Sequence, residues 1–458
     1  MRALGLDIGT TTLSAVVLDV DDGNVVRSFT RPNQAAMTGP AAFNRCQDAG
    51  RIWRQAAGLL AEIEQSDGPL ASIGITGQMH GILYVDGRGD AVSPLFTWQD
   101  ESGNQPASDS RTYAQVLSER TGCPMASGFG LTTLFHHLAN GQVPPEARQI
   151  CTIGDYLAMK LTGRRQPLLT PSNAASLGGY LIAENRFNSA VLTGAGISAG
   201  FLPEISTGFD RVGVTGTGAI VGAAIGDNQA SVIGSVRQLE HAVLVNIGTG
   251  SQVSAGIRAS RTVNPDPAAE IERRPCLPGT DILVGAPLCG GRAYAALEAF
   301  FRAVAAMAGC PDVGHLYDRM DQLLEQTTEE PLRVVPRFCG TRRDPLERGV
   351  ISQIGLDNFT PGALAKGMVH GIAEELHELC RSMAQITDNQ PDQLVGSGNA
   401  IRLNPALRRA VEHRFGLKLL IPRHEEEAAF GAALYALVCA GAATLAQAQT
   451  LIQYRDSV

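Results

Sequence analysis

Residues 3–18 read ALGLDIGTTTLSAVVL, two apolar runs of strand length on either side of a Gly-Thr-Thr-Thr turn. That pattern predicts a buried β-hairpin. The plan returns at residues 243–257, VLVNIGTGSQVSAGI, where Asn246-Ile247-Gly248-Thr249 aligns with Asp7-Ile8-Gly9-Thr10. Such a repeat predicts two related halves, which we divide into domains 1–235 and 236–458 that pack closely and share a cleft. Between the hairpins, strand-like runs (SIGITGQM, LYVDG) alternate with helical periodicity near 131–141 and 153–162. Further helical patterns run near 291–307, 313–326 and 362–386, so the expected architecture is α/β. Asn404, Pro405 and Gly416 stand where a helix would be capped, entered and ended, and the strand LKLLIP follows.

Residues 428–446 carry no charge over 19 positions, which reaches the length of a membrane span. They are rich in Ala and Gly and follow Glu425-Glu426-Glu427, so a buried helix with acidic residues at its N-terminus is expected instead of a membrane segment.

Composition narrows the function classes. A chain of 458 residues exceeds one comfortable core, and 44% hydrophobic with 18% charged residues describes a compact protein with no disordered bias. The net charge of -8, without any Lys/Arg run, argues against nucleic acid as a partner. Nine scattered cysteines lack a C-x-x-C pair, which points to reduced thiols in the cytoplasm and to neither a zinc site nor a disulfide framework. The start MRALGLDIGT reaches an Asp and a turn before an apolar run could form, so no signal peptide is expected. A homodimer is left open.

The candidate chemistry sits at the turns. Gly-Thr turns offer backbone N–H groups and hydroxyls to one place, and phosphate is a natural occupant. Thr10, Thr11 and Thr12 in the first half and Gly248 and Thr249 in the second therefore become candidate contacts of a polyphosphate. Asp7, at the end of an apolar strand, either meets a hydrated Mg²⁺ beside those phosphates or accepts hydrogen bonds from its own turn. No Walker or protein-kinase glycine loop is present. Asp227 and Asn228 interrupt the small, apolar run VGAAIGDNQASVIGS. Read alone, Asp227 serves equally as a helix cap or as the base that takes a proton from an attacking hydroxyl. Gln78, Met79 and His80, with Trp98 and Asp100, combine hydrogen-bonding groups with an apolar plate, as a sugar site requires. His136 and His137 are assigned to a helix surface. Gly396, Gly398 and Asn399 form a glycine loop that a nucleoside could approach.

Taken in order, these segments resemble the FGGY family of carbohydrate kinases from residue 3 to about residue 440, and within it the sedoheptulokinase branch. The resemblance rests on GQMHG (77–81), TWQD (97–100), SGFG (127–130), SNAAS (172–176), GDNQAS (226–231), NIGTGSQ (246–252) and GSGNA (396–400). It implies two duplicated actin-like, ribonuclease-H-like ATPase domains and ATP-dependent phosphorylation of a small ketose, sedoheptulose, at its terminal primary hydroxyl. By the same matching Asp227 is the catalytic base, Met79, His80 and Asp100 contact sugar, and Gly396 and Gly398 lie beside adenosine. A pentulose kinase of the same family, and an actin-like ATPase that switches without sugar, are the competing readings. Two positions depart from the family: Ser14 replaces a frequent basic residue, and Glu101-Ser102 follow Asp100 where an Arg often stands.

Overall fold

The computed structural model describes residues 1–108, 110–261, 263, 270–342 and 344–455. The chain forms two compact units, which are not the contiguous halves expected. The first comprises Met1–Arg237, Pro275–Pro278 and His424–Gln453, and the second Gln238–Arg274, Gly279–Arg423 and the residues from Tyr454 on.

In the first unit the predicted hairpin is β1 (Arg2–Ile8) and β2 (Thr12–Asp19), continued by β3 (Val25–Pro32), β4 (Ser72–Gly77), β5 (Arg211–Val214), β6 (Ile220–Gly222) and β7 (Ile225–Gly226). The sheet order is β5-β6-β4-β1-β2-β3, with β7 also beside β4. β1, β2 and β3 are antiparallel, whereas β4 runs parallel to β1, and β6 and β7 run parallel to β4. Nearly continuous apolar runs suit strands covered on both faces. One cover is α1 (Ala49–Asp67), capped by Asp48, which accepts the Arg51 N–H and sets Ile52, Ala56, Leu59 and Ile63 into the core. Shorter helices α2 (Pro171–Leu177) and α3 (Asp227–Ser235) frame the carboxyl end of β7.

The charge-free segment forms α4 (Glu427–Cys439), which packs on β1, β4 and α3 of the first unit. Its composition is what backbone-to-backbone contact needs. A Cβ added at Gly5 would lie 1.7 Å from the Ala429 carbonyl oxygen, one at Gly74 1.8 Å from that of Ala432, and one at Gly431 1.9 Å from that of Ala230. Among the described residues no helix is long and apolar enough to cross a membrane.

The second unit repeats the plan with β8 (Ala242–Ile247), β9 (Ser251–Arg258), β10 (Thr280–Gly285), β11 (Gln393–Ser397) and β12 (Leu419–Leu420), in the order β10-β9-β8-β11-β12. Strand sense matches too: β8, β9 and β10 are antiparallel, and β11 is parallel to β8. The helix Pro361–Thr387 begins at a Thr360 cap and sets Met368, Ile372 and Leu376 into this core. Asn404 caps the helix Pro405–Phe415 by accepting the Leu407 N–H at 2.9 Å, and Gly416 ends it in the left-handed region. LKLLIP contributes only Leu419–Leu420 as strand.

One expectation fails outright. His136 and His137, on the helix Gly130–Ala139, are buried. His137 Nδ1 meets the Tyr84 hydroxyl at 2.8 Å, and burial pushes its pKa down to about 4. Two histidines kept neutral inside the core are packing groups.

Candidate active site

In open parallel sheets, ligands gather beyond the carboxyl ends of the strands. Here the pairing brings three such ends level: Ile8 and Gly226 both pair with Gly77. Asp7 and the first Gly-Thr turn therefore adjoin Gln78-Met79-His80 on one side of β4, and Asp227 adjoins them on the other.

The backbone of the first turn is held through its carbonyl oxygens. Ile8 accepts the Gln78 N–H (2.9 Å), Gly9 the Asn33 side-chain amide (2.9 Å), Thr10 the Gln47 amide (2.8 Å) and Thr11 the Asn33 N–H (2.8 Å). Among the described residues no acceptor meets the N–H groups of Gly9, Thr10 or Thr11. With acceptors engaged and donors open, the turn presents a positive concavity. The Thr11 and Thr12 side chains are exposed, and the Trp98 indole N–H donates to the Thr10 hydroxyl at 3.0 Å. A groove of about 770 Å³ borders this turn, lined in part by Thr11, Asn33, Gln47, Thr97 and Gln99.

The second turn repeats the arrangement. Gly248 and Thr249 carbonyls accept the N–H groups of Gly291 (3.0 Å) and Arg292 (2.9 Å), and the Gly250 carbonyl accepts the Gly248 N–H at 3.0 Å. The N–H groups of Thr249 and Gly250 meet no acceptor among the described residues. Gly398, at φ +86°, leaves only 2.5 Å between a Cβ and the Ile247 carbonyl, so glycine is required there. Asn399 is exposed beside it. Gly396, expected at the nucleoside, is instead buried within β11, where its missing side chain admits Leu419 and Ile401. Its glycine identity serves packing.

Asp227 is the first residue of α3, half-buried, and its Oδ1 accepts the Asn228 N–H at 2.7 Å. Gly226 occupies the cap position, so Asp227 is not the cap. The segment is fixed from below: Ser172 Oγ accepts the Gly226 N–H (3.1 Å), while Thr170 and Asn173 donate to the Ala224 carbonyl. A Cβ at Gly226 would fall 2.5 Å from Met79 Sδ, which ties Met79 to the approach of Asp227. His80 adopts φ +72°, rare for a non-glycine residue, and is held there by Ser176. The Ser176 hydroxyl accepts the His80 N–H, and the Ser176 carbonyl lies 2.7 Å from Nδ1, which must therefore carry the proton. The ring stacks on Phe129 at 5.0 Å.

Asp7 is the electrostatic anomaly. Burial first, then the neighbouring Asp227 and Glu426, push its carboxyl up to about 7. Its Oδ1 has no hydrogen-bond partner, and neither does Oγ1 of Thr76, its register partner in β4. The alternative of an Asp satisfied by its own turn thus fails. Ser14, cross-strand from Asp7, brings no positive charge, and its hydroxyl lies 3.5 Å from that of Thr30, which donates to Glu426 at 2.8 Å. A buried carboxyl beside two further carboxylates suits a divalent ion that keeps part of its water shell.

Asp100 is corrected by the structure. It is 1% exposed, and its oxygens accept the Asn44 amide (3.0 Å) and the N–H groups of Arg45 (3.2 Å) and Ser102 (3.0 Å). Ser102, the departure noted in the sequence, closes on this carboxylate, which organises the loop under Trp98. Sequence reading missed Asn33, Asn44 and Gln47, which lie in a stretch without periodicity, Gln47 on the two-residue strand Cys46–Gln47, and it saw SNAAS only as a family motif although Ser172 and Ser176 anchor both sides of the site.

Two units of one strand order, each closing its first hairpin in a turn of open amides, define the actin-like class of nucleotide-binding proteins. A family model described as "FGGY family of carbohydrate kinases, N-terminal domain" matches residues 2–235. The chain is 30% identical to the sedoheptulokinases of Mus musculus and Homo sapiens, in each case across 95% of this chain and 97% of the relative. A xylulose kinase structure from Rhodospirillum rubrum superposes with a TM-score of 0.83 at 20% identity, covering 100% of this chain and 94% of that one. The protein belongs to the FGGY family of carbohydrate kinases: it phosphorylates a small sugar substrate with ATP as co-substrate.

Proposed function

We propose that the sugar is sedoheptulose, phosphorylated at its terminal primary hydroxyl to sedoheptulose 7-phosphate. Near full-length similarity to two sedoheptulokinases supports the sugar. The observation that carries the mechanism is the level ending of β1, β4 and β7, which sets open amides, sugar-type contacts and Asp227 side by side. A sugarless nucleotide switch would have no use for the second and third of these.

In this reading the ketose lies against Gln78, Met79, His80, Trp98 and Asn228, with its terminal hydroxyl at Asp227. Asp227 accepts the hydroxyl proton as the bond to phosphorus forms, a task for which an ionised carboxylate suffices when the transition state is loose. The open amides of Gly9–Thr11, with the Thr11 and Thr12 hydroxyls, hold phosphate oxygens, as do those beside Gly248 and Thr249. Gly398 and Asn399 serve the nucleoside end. Asp7 would hold a hydrated Mg²⁺, which when bound would supply positive charge against the polyphosphate.

A coupled ADP assay over ketoses of five to seven carbons, with polyols as controls, tests the sugar: kcat/KM should be highest for sedoheptulose. A higher value for ribulose or xylulose would reassign it to a pentulose. Asp227→Asn should lower kcat by roughly 10² to 10⁴ while ATP still binds, and near-normal turnover would remove Asp227 from the role.

A further inference from the structure

Gln47 and Gln78 are 3% and 5% exposed, and their amides form a chain whose direction chemistry fixes. The Thr10 carbonyl can only accept, so Gln47 presents Nε2 to it at 2.8 Å. Gln47 Oε1 therefore faces Gln78, whose Nε2 donates to it at 2.8 Å. This leaves Gln78 Oε1, buried and without a hydrogen-bond partner, as the unpaired acceptor at one end, which a sugar hydroxyl reaches once the side chains over it shift. At the other end the Thr10 carbonyl shares a peptide unit with the Thr11 N–H, a donor that meets no acceptor among the described residues.

We propose that Gln47 is a positioning residue in an amide relay that couples occupancy of the sugar pocket to affinity for the nucleotide phosphates. A sugar hydroxyl donating into Gln78 Oε1 polarises that amide, which strengthens its bond to Gln47 and, in turn, the bond from Gln47 to Thr10. The Thr11 N–H then becomes a better donor to a phosphate oxygen. Buried amide chains polarise one another by roughly 10–30% per bond, and the unpaired acceptor gives the donor a reason to bind. The relay rests on the sugar-kinase reading and on the placement of sugar at Gln78 and phosphate at the first turn.

The test is the affinity for a non-hydrolysable ATP analogue, at constant Mg²⁺, with and without the ketose that gives the fastest ADP release. Sugar should tighten analogue binding about 5-fold or more in the unaltered protein, the lower end of typical coupling. Gln47→Met, which fills the space without donating or accepting, should reduce that factor to below about 2. Gln47→Glu keeps the acceptor for Gln78 but sets a carboxylate against the Thr10 carbonyl, and should lose the coupling as well. Its folding, checked by circular dichroism, secures the test if the Met variant does not fold. An unchanged factor in either folded variant overturns the relay, as does a wild type that turns over sugar without coupling. Failure of every sugar to release ADP in the wild type would instead count against the functional reading, before any variant is made.

Discussion

Asp7 and Asn246 occupy equivalent places in the duplicated sheets, and their surroundings differ in a way that separates structure from function. Asn246 donates to Ser397 Oγ at 2.7 Å, a neutral and satisfied pair. Asp7 faces Thr76 with neither atom satisfied and lies near two further carboxylates. Natural proteins keep such unfavourable groups where function uses them. In the ligand-free protein at pH 8, above the raised pKa, Asp7→Asn should therefore increase stability by ~1–3 kcal/mol while weakening Mg²⁺·ATP binding. Thermal unfolding with and without Mg²⁺·ATP checks both, and a variant that is less stable without ligand would refute the strain. Asp155 offers a second carboxyl, at the start of the helix Ile153–Thr162, buried and bonded to Thr152. Burial raises its pKa to about 7 against the pull of the Thr152 bonds. A raised folded pKa means the native state binds the proton more tightly. The stability it contributes is full below about pH 4 and is lost as pH rises through about 7. The loss, roughly 3 pH units, is on the order of 4 kcal/mol. Urea unfolding at pH 5 and pH 8, which spans about two of those units, should show a fall of roughly 2.7 kcal/mol in wild type and a flatter profile in Asp155→Asn. Equal slopes would mean that Asp155 does not titrate in this range.

At the scale of elements, what could be read from the chain was local. The two hairpins, the Asn404 cap and the Gly416 stop all depend on residues a few positions apart, and each forms where the pattern places it. The partner of α4 could not be read that way. A charge-free run of Ala and Gly says that a helix is buried, but its contacts with Gly5, Gly74 and Gly234 join positions far apart in the chain. The histidines at 136 and 137 failed for a related reason: residue type suggests a surface, while their neighbours Tyr84 and Phe96 arrive from other elements. The α4 contact predicts sharp intolerance. Gly74→Val would drive a side chain into the Ala432 carbonyl, which is backbone and cannot rotate away, and should cost about 3 kcal/mol or more. Gly58, exposed on α1 with nothing near its missing Cβ, is the control: Gly58→Ala should stabilise by about 0.5–1 kcal/mol. Chemical denaturation of both variants checks the pair, and a tolerated valine at position 74 would contradict the close contact.

For the whole molecule, the duplication was legible because each half carries its own hairpin, and candidate site residues could be picked out because motif residues fall at strand ends. The return of residues 424–453 to the first unit was not legible, since no local feature marks which sheet a C-terminal helix will cover. Its consequence is a chain order that differs from the folding unit. The first unit closes at one place: the Met1 ammonium pairs with Asp21 at 3.0 Å, and the Gln453 amide donates to the Asp22 carbonyl at 3.1 Å. Both ends of the unit thus reach the turn between β2 and β3. A circular permutant that begins at His424, runs to Gln453, passes through a Gly/Ser linker of about six to eight residues to Met1 and ends at Arg423 joins the two long stretches of the first unit and leaves only Pro275–Pro278 apart from them. It should fold and keep sugar-dependent ADP release. A chain truncated after Arg423 lacks α4 and leaves the apolar faces of β1 and β4 uncovered, so it should be insoluble or bind hydrophobic dyes. Circular dichroism, dye binding and the ADP assay on the two chains decide the matter. A truncated chain as stable as wild type would show that α4 is dispensable to the first unit, and an unfolded permutant would show that chain order, and not only the packing of α4, is needed for folding.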